Sequence, residues 1–172
     1  DKEGKEYTDL YGGHAVISIG HSHPHYVKRM KDQLEKLAFY SNSIEIPIQK
    51  ELAKKLGEVS GYEDYNLFLC SSGAEANENA LKVASFETKR SKILAYKGGF
   101  HGRTSGAVAI TDNQKIIAPF NNVHDKVLVD FNDIEGTEQA LKANDIAAVI
   151  IEGIQGIGGV HIPTQEFMTE LS

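Results

Sequence analysis

The stretch Cys70-Ser71-Ser72-Gly73-Ala74-Glu75-Ala76-Asn77-Glu78 decides how the chain is read. Ahead of it, Tyr65-Asn66-Leu67-Phe68-Leu69 is short and rich in large apolar residues, the pattern of a buried strand. Behind it, Ala76, Ala80, Val83 and Ala84 recur at helical spacing. Ser71 to Ala74 therefore form a small-residue turn from a strand end to a helix start. The first N–H groups of a helix lack internal partners, and the helix dipole places about half a positive charge there. A phosphate fits such a place when nothing bulky blocks it. Gly73 and Ala74 leave the approach open, and Ser72 adds a hydroxyl. The same residues also read as a capping box, with Ser72 at the N-cap and Glu75 three residues on. Taken alone, the stretch supports either reading.

Two later stretches share its design. Ser91 to Tyr96 holds a second buried strand, Ile93-Leu94-Ala95-Tyr96, and runs into Lys97-Gly98-Gly99-Phe100-His101-Gly102-Arg103-Thr104. Three glycines around one aromatic and one arginine make a poor core but let backbone approach a ligand closely. The other reading is a plain glycine-rich connection with an exposed Phe, although large aromatics seldom stay uncovered. A third apolar run, Ile146 to Ile151, reads as a fully buried strand and leads to Glu152-Gly153-Ile154-Gln155-Gly156-Ile157-Gly158-Gly159. It lacks the glycine spacing of a dinucleotide site, since His161 stands where a third glycine is needed. Between these, Val127 to Val129 is a short strand, Asp133 caps a helix through Leu141, and Ser105 to Ile110 is a short helix or strand. Pro119 and Asn121-Asn122 mark a loop, and a last helix starts at Thr164. Strands alternating with helices predict an α/β fold with parallel pairs. Ligands of such sheets sit beyond the carboxyl ends of the strands, where Ser72, Phe100 and Glu152 all fall.

The N-terminal third carries less chemistry. Asp1 to Tyr11 reads as a hairpin turn feeding a strand, broken by Gly12-Gly13-His14. Alternate histidines at 21, 23 and 25 could share a face, but the spacing matches no common zinc motif. Pro24 suits a helix start, so a turn and helix are expected there and no metal site. That helix runs to about Phe39, with Val27, Met30, Leu34 and Leu37 on one stripe. After a Ser41-Asn42-Ser43 loop, Pro47 opens a second helix with Ile48, Leu52, Leu56 and Val59 inward, closed by Ser60-Gly61. Gly57 inside it costs about 1 kcal/mol against Ala unless it lies near the helix end.

A net charge of −6 and the lack of a basic cluster argue against a nucleic-acid partner. No apolar run is long enough to span a membrane and no signal-peptide pattern opens the chain. A single cysteine, Cys70, excludes an internal disulfide framework and fits a reducing cytoplasm. The opening Asp1-Lys2-Glu3-Gly4, without Met, is compatible with a partial chain.

Ser-Ser-Gly-Ala-Glu-Ala-Asn-Glu followed by Ala80-Leu81-Lys82 resembles the cofactor-phosphate loop of class III (ornithine-type) aminotransferases. Phe100-His101-Gly102-Arg103 resembles the family's Phe-x-Gly-Arg motif, and Glu152 onward resembles its Glu-Pro-Ile-Gln-Gly-Glu-Gly-Gly stretch. The resemblance spans the chain and implies part of a fold-type-I transferase dependent on pyridoxal 5'-phosphate, with a mostly parallel sheet and flanking helices. It implies small-domain segments and linker helices over 1–60, and over 61–172 the first, incomplete half of the large cofactor domain. Ser72, Gly73, Ala74, Phe100 and Glu152 would bind the cofactor, with Phe100 stacked on its ring. Arg103 would grip a substrate carboxylate, and His14 matches a position lining the substrate pocket.

Two departures stand out: Gly153 replaces the usual proline, and Ile157 replaces a glutamate that in relatives can pair with a later substrate-binding arginine. Within the family the likeness is to the acetylornithine branch. It implies transfer of the side-chain amino group of an N-acylated ornithine to 2-oxoglutarate, in arginine biosynthesis, by a cytoplasmic homodimer. The Schiff-base lysine is expected outside these 172 residues, so the chain alone is expected to be inactive. The alternatives are an inert phosphate- or partner-binding domain, or another class III activity such as an ornithine or GABA aminotransferase or a glutamate semialdehyde aminomutase.

Overall fold

The computed structural model describes residues 1–41, 43–122, 124–143 and 145–172. It divides into two compact units, Asp1–Leu67 and Phe68–Ser172. Asn42, in the expected Ser41–Ser43 loop, lies outside the described residues.

In the first unit a turn at Asp1–Gly4 is followed by irregular chain, not by the expected strand. Gly12–Ala15 (α1) is a single turn in which Gly13 and His14 have φ of 58° and 64°. Helix α2, Pro24–Leu34, starts at its proline and ends five residues before the expected Phe39. Helix α3, Pro47–Ser60, closes on Gly61 in the left-handed region. Gly57 lies in its last turn and has a packing reason, since a Cβ there would stand 3.0 Å from the Glu63 backbone. The apolar stripes expected to face inward do not. Leu34, Leu52 and Val59 are 60%, 42% and 68% exposed. Amphipathic spacing identifies an apolar face, but burial needs a partner element, which this unit by itself does not supply.

The second unit is built on a parallel sheet in the order β2-β1-β3, from Lys92–Tyr96 (β1), Lys126–Val129 (β2) and Ile146–Val149 (β3). Leu94 faces Val127 on one side and Val149 on the other. Alternation along β1 divides the core into two layers. Leu94 and Tyr96 pack with Val129, Ile146 and Phe167 beneath helices α6 (Ile134–Lys142) and α7 (Gln165–Leu171). Ile93 and Ala95 pack with Ile110 and Ala147 against Leu81 of helix α4, Gly73–Thr88. Helix α5, Ser105–Ala109, joins that second layer. Local caps start these helices: Asp133 Oδ1 accepts from Gly136 N–H at 2.9 Å, and Thr164 Oγ1 from Phe167 N–H at 3.2 Å.

Two expected strands change. Tyr65–Leu69 has no strand neighbour among the described residues, and Phe68 is 66% exposed. An apolar run becomes a strand only when another backbone accepts its hydrogen bonds. The third run is regular only over Ile146–Val149 and half-buried from Ala148 on, because β3 is an edge strand with one side unpaired. Among the described residues no helix is long and apolar enough to cross a membrane.

Leu94 is fully buried between the layers. Leu94→Ala is expected to destabilise the protein by about 2–5 kcal/mol. The measurement is the urea midpoint; an unchanged midpoint would contradict the core assigned here.

Candidate functional site

The site is assembled at the carboxyl ends of β1 and β3 and the amino end of α4. At α4, both sequence readings of the turn hold together. Ser72 is the N-cap, its Oγ accepting from Glu75 N–H at 3.2 Å, while Glu75 Oε2 accepts from Ser71 N–H at 2.6 Å. The cap leaves the N–H groups of Gly73 and Ala74 without a partner among the described residues. The space beside Gly73 is open, with nothing within 4 Å of where a Cβ would stand. Two free donors at the positive end of a 16-residue helix form an open cradle of the polarity a phosphate needs.

The loop from Lys97 to Thr104 is held by both side-chain and backbone groups reaching its backbone. Gly98 N–H donates to Asp112 Oδ2 at 2.9 Å, and Asp112 N–H to Gly99 O at 3.0 Å. Phe100 N–H donates to Glu152 Oε1 at 2.8 Å, and His101 N–H to Thr111 Oγ1 at 3.0 Å. Asn77 Nδ2, on α4, donates to His101 O at 2.6 Å, and Gln155 Nε2 to Lys97 O at 2.9 Å. Gly102, with φ of +132°, lies so close to the first turn of α4 that a Cβ would stand 2.6 Å from Ala74 Cβ. That approach fastens the aromatic loop to the anion cradle.

Electrostatics support the same frame. Burial, the largest influence on Glu78, would raise its pKa. The Thr104 hydroxyl and the N–H groups of Ala107 and Gly106 outweigh it, so the net shift is downward and the carboxylate stays charged. Burial pushes the pKa of His101 down and the Glu152 carboxylate offsets this only in part, so the ring is neutral at pH 7. Lys97 hydrogen-bonds Asp130 at 2.9 Å, which raises its pKa and keeps it a charged ammonium, unsuited to act as an amine nucleophile.

The residues expected from sequence distribute as follows. Ser72, Gly73, Ala74, Phe100, Arg103 and Glu152 belong to the second unit. Phe100 and Glu152 are in direct contact, and Ala74 adjoins Gly102, between Phe100 and Arg103. Both Glu152 oxygens accept from backbone, Phe100 N–H and Gly156 N–H, so this carboxylate braces the aromatic loop. Arg103 is exposed and makes no hydrogen bond or ion pair with the described residues. His14 belongs to the first unit, where its Nδ1 meets the Tyr11 hydroxyl. His21, one of the three alternate histidines, pairs with Asp9 at 2.7 Å. Asn77, Glu78, Thr111, Asp112 and Gln155 support the site without having been singled out in the sequence. Asn77 and Glu78, inside the decisive stretch, and Gln155, inside the stretch after the third apolar run, carried a signal as polar residues of quoted motifs.

Comparison with known proteins identifies the family. The chain is 44% identical over 169 residues to the acetylornithine aminotransferase of Archaeoglobus fulgidus, covering 98% of this chain and 44% of that protein. It is 40% identical over 172 residues to a [LysW]-aminoadipate semialdehyde/glutamate semialdehyde transaminase of Sulfolobus acidocaldarius, covering 99% and 44%. Its fold superposes with a TM-score of 0.89, at 29% identity, on the ornithine aminotransferase of Toxoplasma gondii, covering 99% and 42%. The active site of that structure holds pyridoxal phosphate at partial occupancy. The chain thus spans less than half the length of these relatives. The aminotransferase class-III pattern matches residues 1–172, and the chain belongs to the class-III aminotransferase family.

Proposed function

We propose that these residues form part of a longer pyridoxal-phosphate-dependent aminotransferase that moves the side-chain amino group of an N-acylated ornithine to 2-oxoglutarate. The observation that carries this reading is the joining, through Gly102 against Ala74, of an open anion cradle to the loop bearing Phe100 and Arg103. Similarity to acetylornithine aminotransferases supports the substrate, and the resemblance supports a place in arginine biosynthesis. In the same reading, 1–60 are small-domain and linker segments and 61–172 belong to the large cofactor domain. The enzyme would be a cytoplasmic homodimer, with no nucleic-acid or membrane partner.

When bound, pyridoxal phosphate supplies an electron sink at the carbon that carries the amino group. The Gly73 and Ala74 N–H groups bind its phosphate, and the Ser72 hydroxyl holds those donors in place by capping the helix. The Phe100 ring would stack on the cofactor's ring and shield it from water. Glu152 orients Phe100 through the backbone. Arg103 takes the substrate carboxylate on two parallel N–H bonds, a geometry a lysine cannot reproduce. The lysine that moves the proton belongs to the rest of the longer protein. At position 157 an isoleucine offers no carboxylate to pair with a second arginine, so a glutamate-controlled switch between substrate carboxylates would be missing here.

Gly73→Val tests the cradle. Because nothing within 4 Å opposes a side chain there, the fold should tolerate it, while the branched group enters the phosphate's space. Cofactor affinity of the full-length protein is expected to fall roughly tenfold or more, with the melting temperature of the cofactor-free form little changed. Unchanged retention of cofactor would remove the phosphate from this helix end.

A further inference from the structure

We propose that Glu78 and Lys126 are positioning residues for Arg103, holding helix α5 at its two ends so that the guanidinium just ahead of it meets the substrate carboxylate. The proposal rests on the carboxylate-binding reading of Arg103 given above.

Helix α5 has five residues, far fewer than a helix needs to hold itself in water. Its N-cap, Thr104, makes no side-chain capping bond. Glu78, reaching across from the second turn of α4, does that work instead. Its Oε1 accepts from Gly106 N–H at 2.5 Å and from Ala107 N–H at 3.2 Å, two donors that α5 leaves unpaired. At the other end, Lys126 on β2 donates from Nζ to Ala109 O at 2.5 Å and to Thr111 O at 3.3 Å. A carboxylate at the amino end and an ammonium at the carboxyl end both complement the helix dipole.

Arg103 stands two residues ahead of Ser105, the first residue of α5, and its guanidinium has no partner among the described residues. The point from which its side chain departs is therefore set by the backbone on either side: Gly102 fixed against Ala74, and α5 fixed by Glu78 and Lys126. The Gly73 and Ala74 donors belong to α4 itself. Releasing α5 should therefore displace Arg103 while leaving the cofactor cradle in place. A role limited to stability would instead lower cofactor retention and folding together.

The test is steady-state kinetics of the full-length holoenzyme with N-acetylornithine and 2-oxoglutarate, with cofactor occupancy measured alongside. Glu78→Ala and Lys126→Met are each expected to raise KM for N-acetylornithine roughly tenfold, with kcat within about threefold and occupancy unchanged. Glu78→Gln keeps the acceptor oxygen and should return KM to within about threefold of the unmutated enzyme. In an Arg103→Ala background, Glu78→Ala should add less than about twofold, because both changes remove one interaction. If Glu78→Ala does not fold, Lys126→Met carries the same comparison of KM with occupancy. An unmoved KM where Arg103→Ala raises it, or fully multiplicative effects of the two changes, would overturn the proposal. An Arg103→Ala enzyme with unaltered KM would instead overturn the reading of Arg103 itself.

Discussion

Arg103→Ala in the full-length protein is expected to lower kcat/KM for the proposed N-acylornithine donor while cofactor affinity stays nearly constant. A charge-assisted bidentate contact in a desolvated site is worth about 2–5 kcal/mol, which corresponds to roughly 30- to 5,000-fold. The expectation comes from the side chain's situation: an exposed guanidinium, on a loop whose backbone is bonded on both sides, with no partner among the described residues. An arginine serving the fold would be paired. Arg103→Lys should recover only part of the loss, since the charge returns without the planar fork. The measurement is steady-state kinetics against a cofactor titration. A kcat/KM within error of the unmutated enzyme would show that the carboxylate binds elsewhere.

Gly102→Ala is expected to damage cofactor and substrate binding together, although it adds one methyl group. Two penalties coincide. A φ of +132° is costly for any residue with a Cβ, and that Cβ would stand 2.6 Å from Ala74 Cβ and 3.1 Å from Ala107 Cβ. The loop would move off the first turn of α4, carrying Phe100 and Arg103 with it. A combined cost of about 2–4 kcal/mol, or roughly 30- to 1,000-fold in cofactor affinity, follows from backbone strain and overpacking. Ala74→Gly in the same chain removes the nearer contact and should restore part of the affinity. Equal cofactor binding by Gly102→Ala and the parent would show that the loop and helix are not fastened at this point.

Elements with local causes were legible in the sequence. Helix starts at Ser72, Asp133 and Thr164 rest on a side chain that caps its own neighbours. Strands β1 and β2 are short apolar runs that found partners in one another. Tyr65–Leu69 looked the same in composition but has no strand neighbour among the described residues. Strand formation depends on a second segment, and an isolated apolar run does not reveal whether one is at hand. The α3 stripe failed for a related reason: Leu52 and Val59 recur at the right spacing, yet spacing says nothing about what covers them.

The candidate site divides the same way. Ser72, Phe100, Arg103 and Glu152 are visible because their residue types stand out beside glycines after apolar runs. Their supports are not. Asn77 reaches a carbonyl 24 residues away and Gln155 one 58 residues away. Bonds from side chain to distant backbone exist only once the sheet has brought β1, β3 and α4 together. Glu152 shows the difference: the resemblance implies its place near the cofactor, while the bonds its two oxygens accept from Phe100 and Gly156 N–H were not legible.

The central claim is that the start of α4 and the Phe100–Arg103 loop form one binding site. A crystal structure of the full-length protein with pyridoxal phosphate and N-acetylornithine tests it most directly. The phosphate is expected within hydrogen-bonding distance of the Gly73 and Ala74 N–H groups, the Phe100 ring against the pyridine face, and the donor's carboxylate on Arg103. A phosphate bound away from α4, or a donor carboxylate that does not touch Arg103, would contradict it.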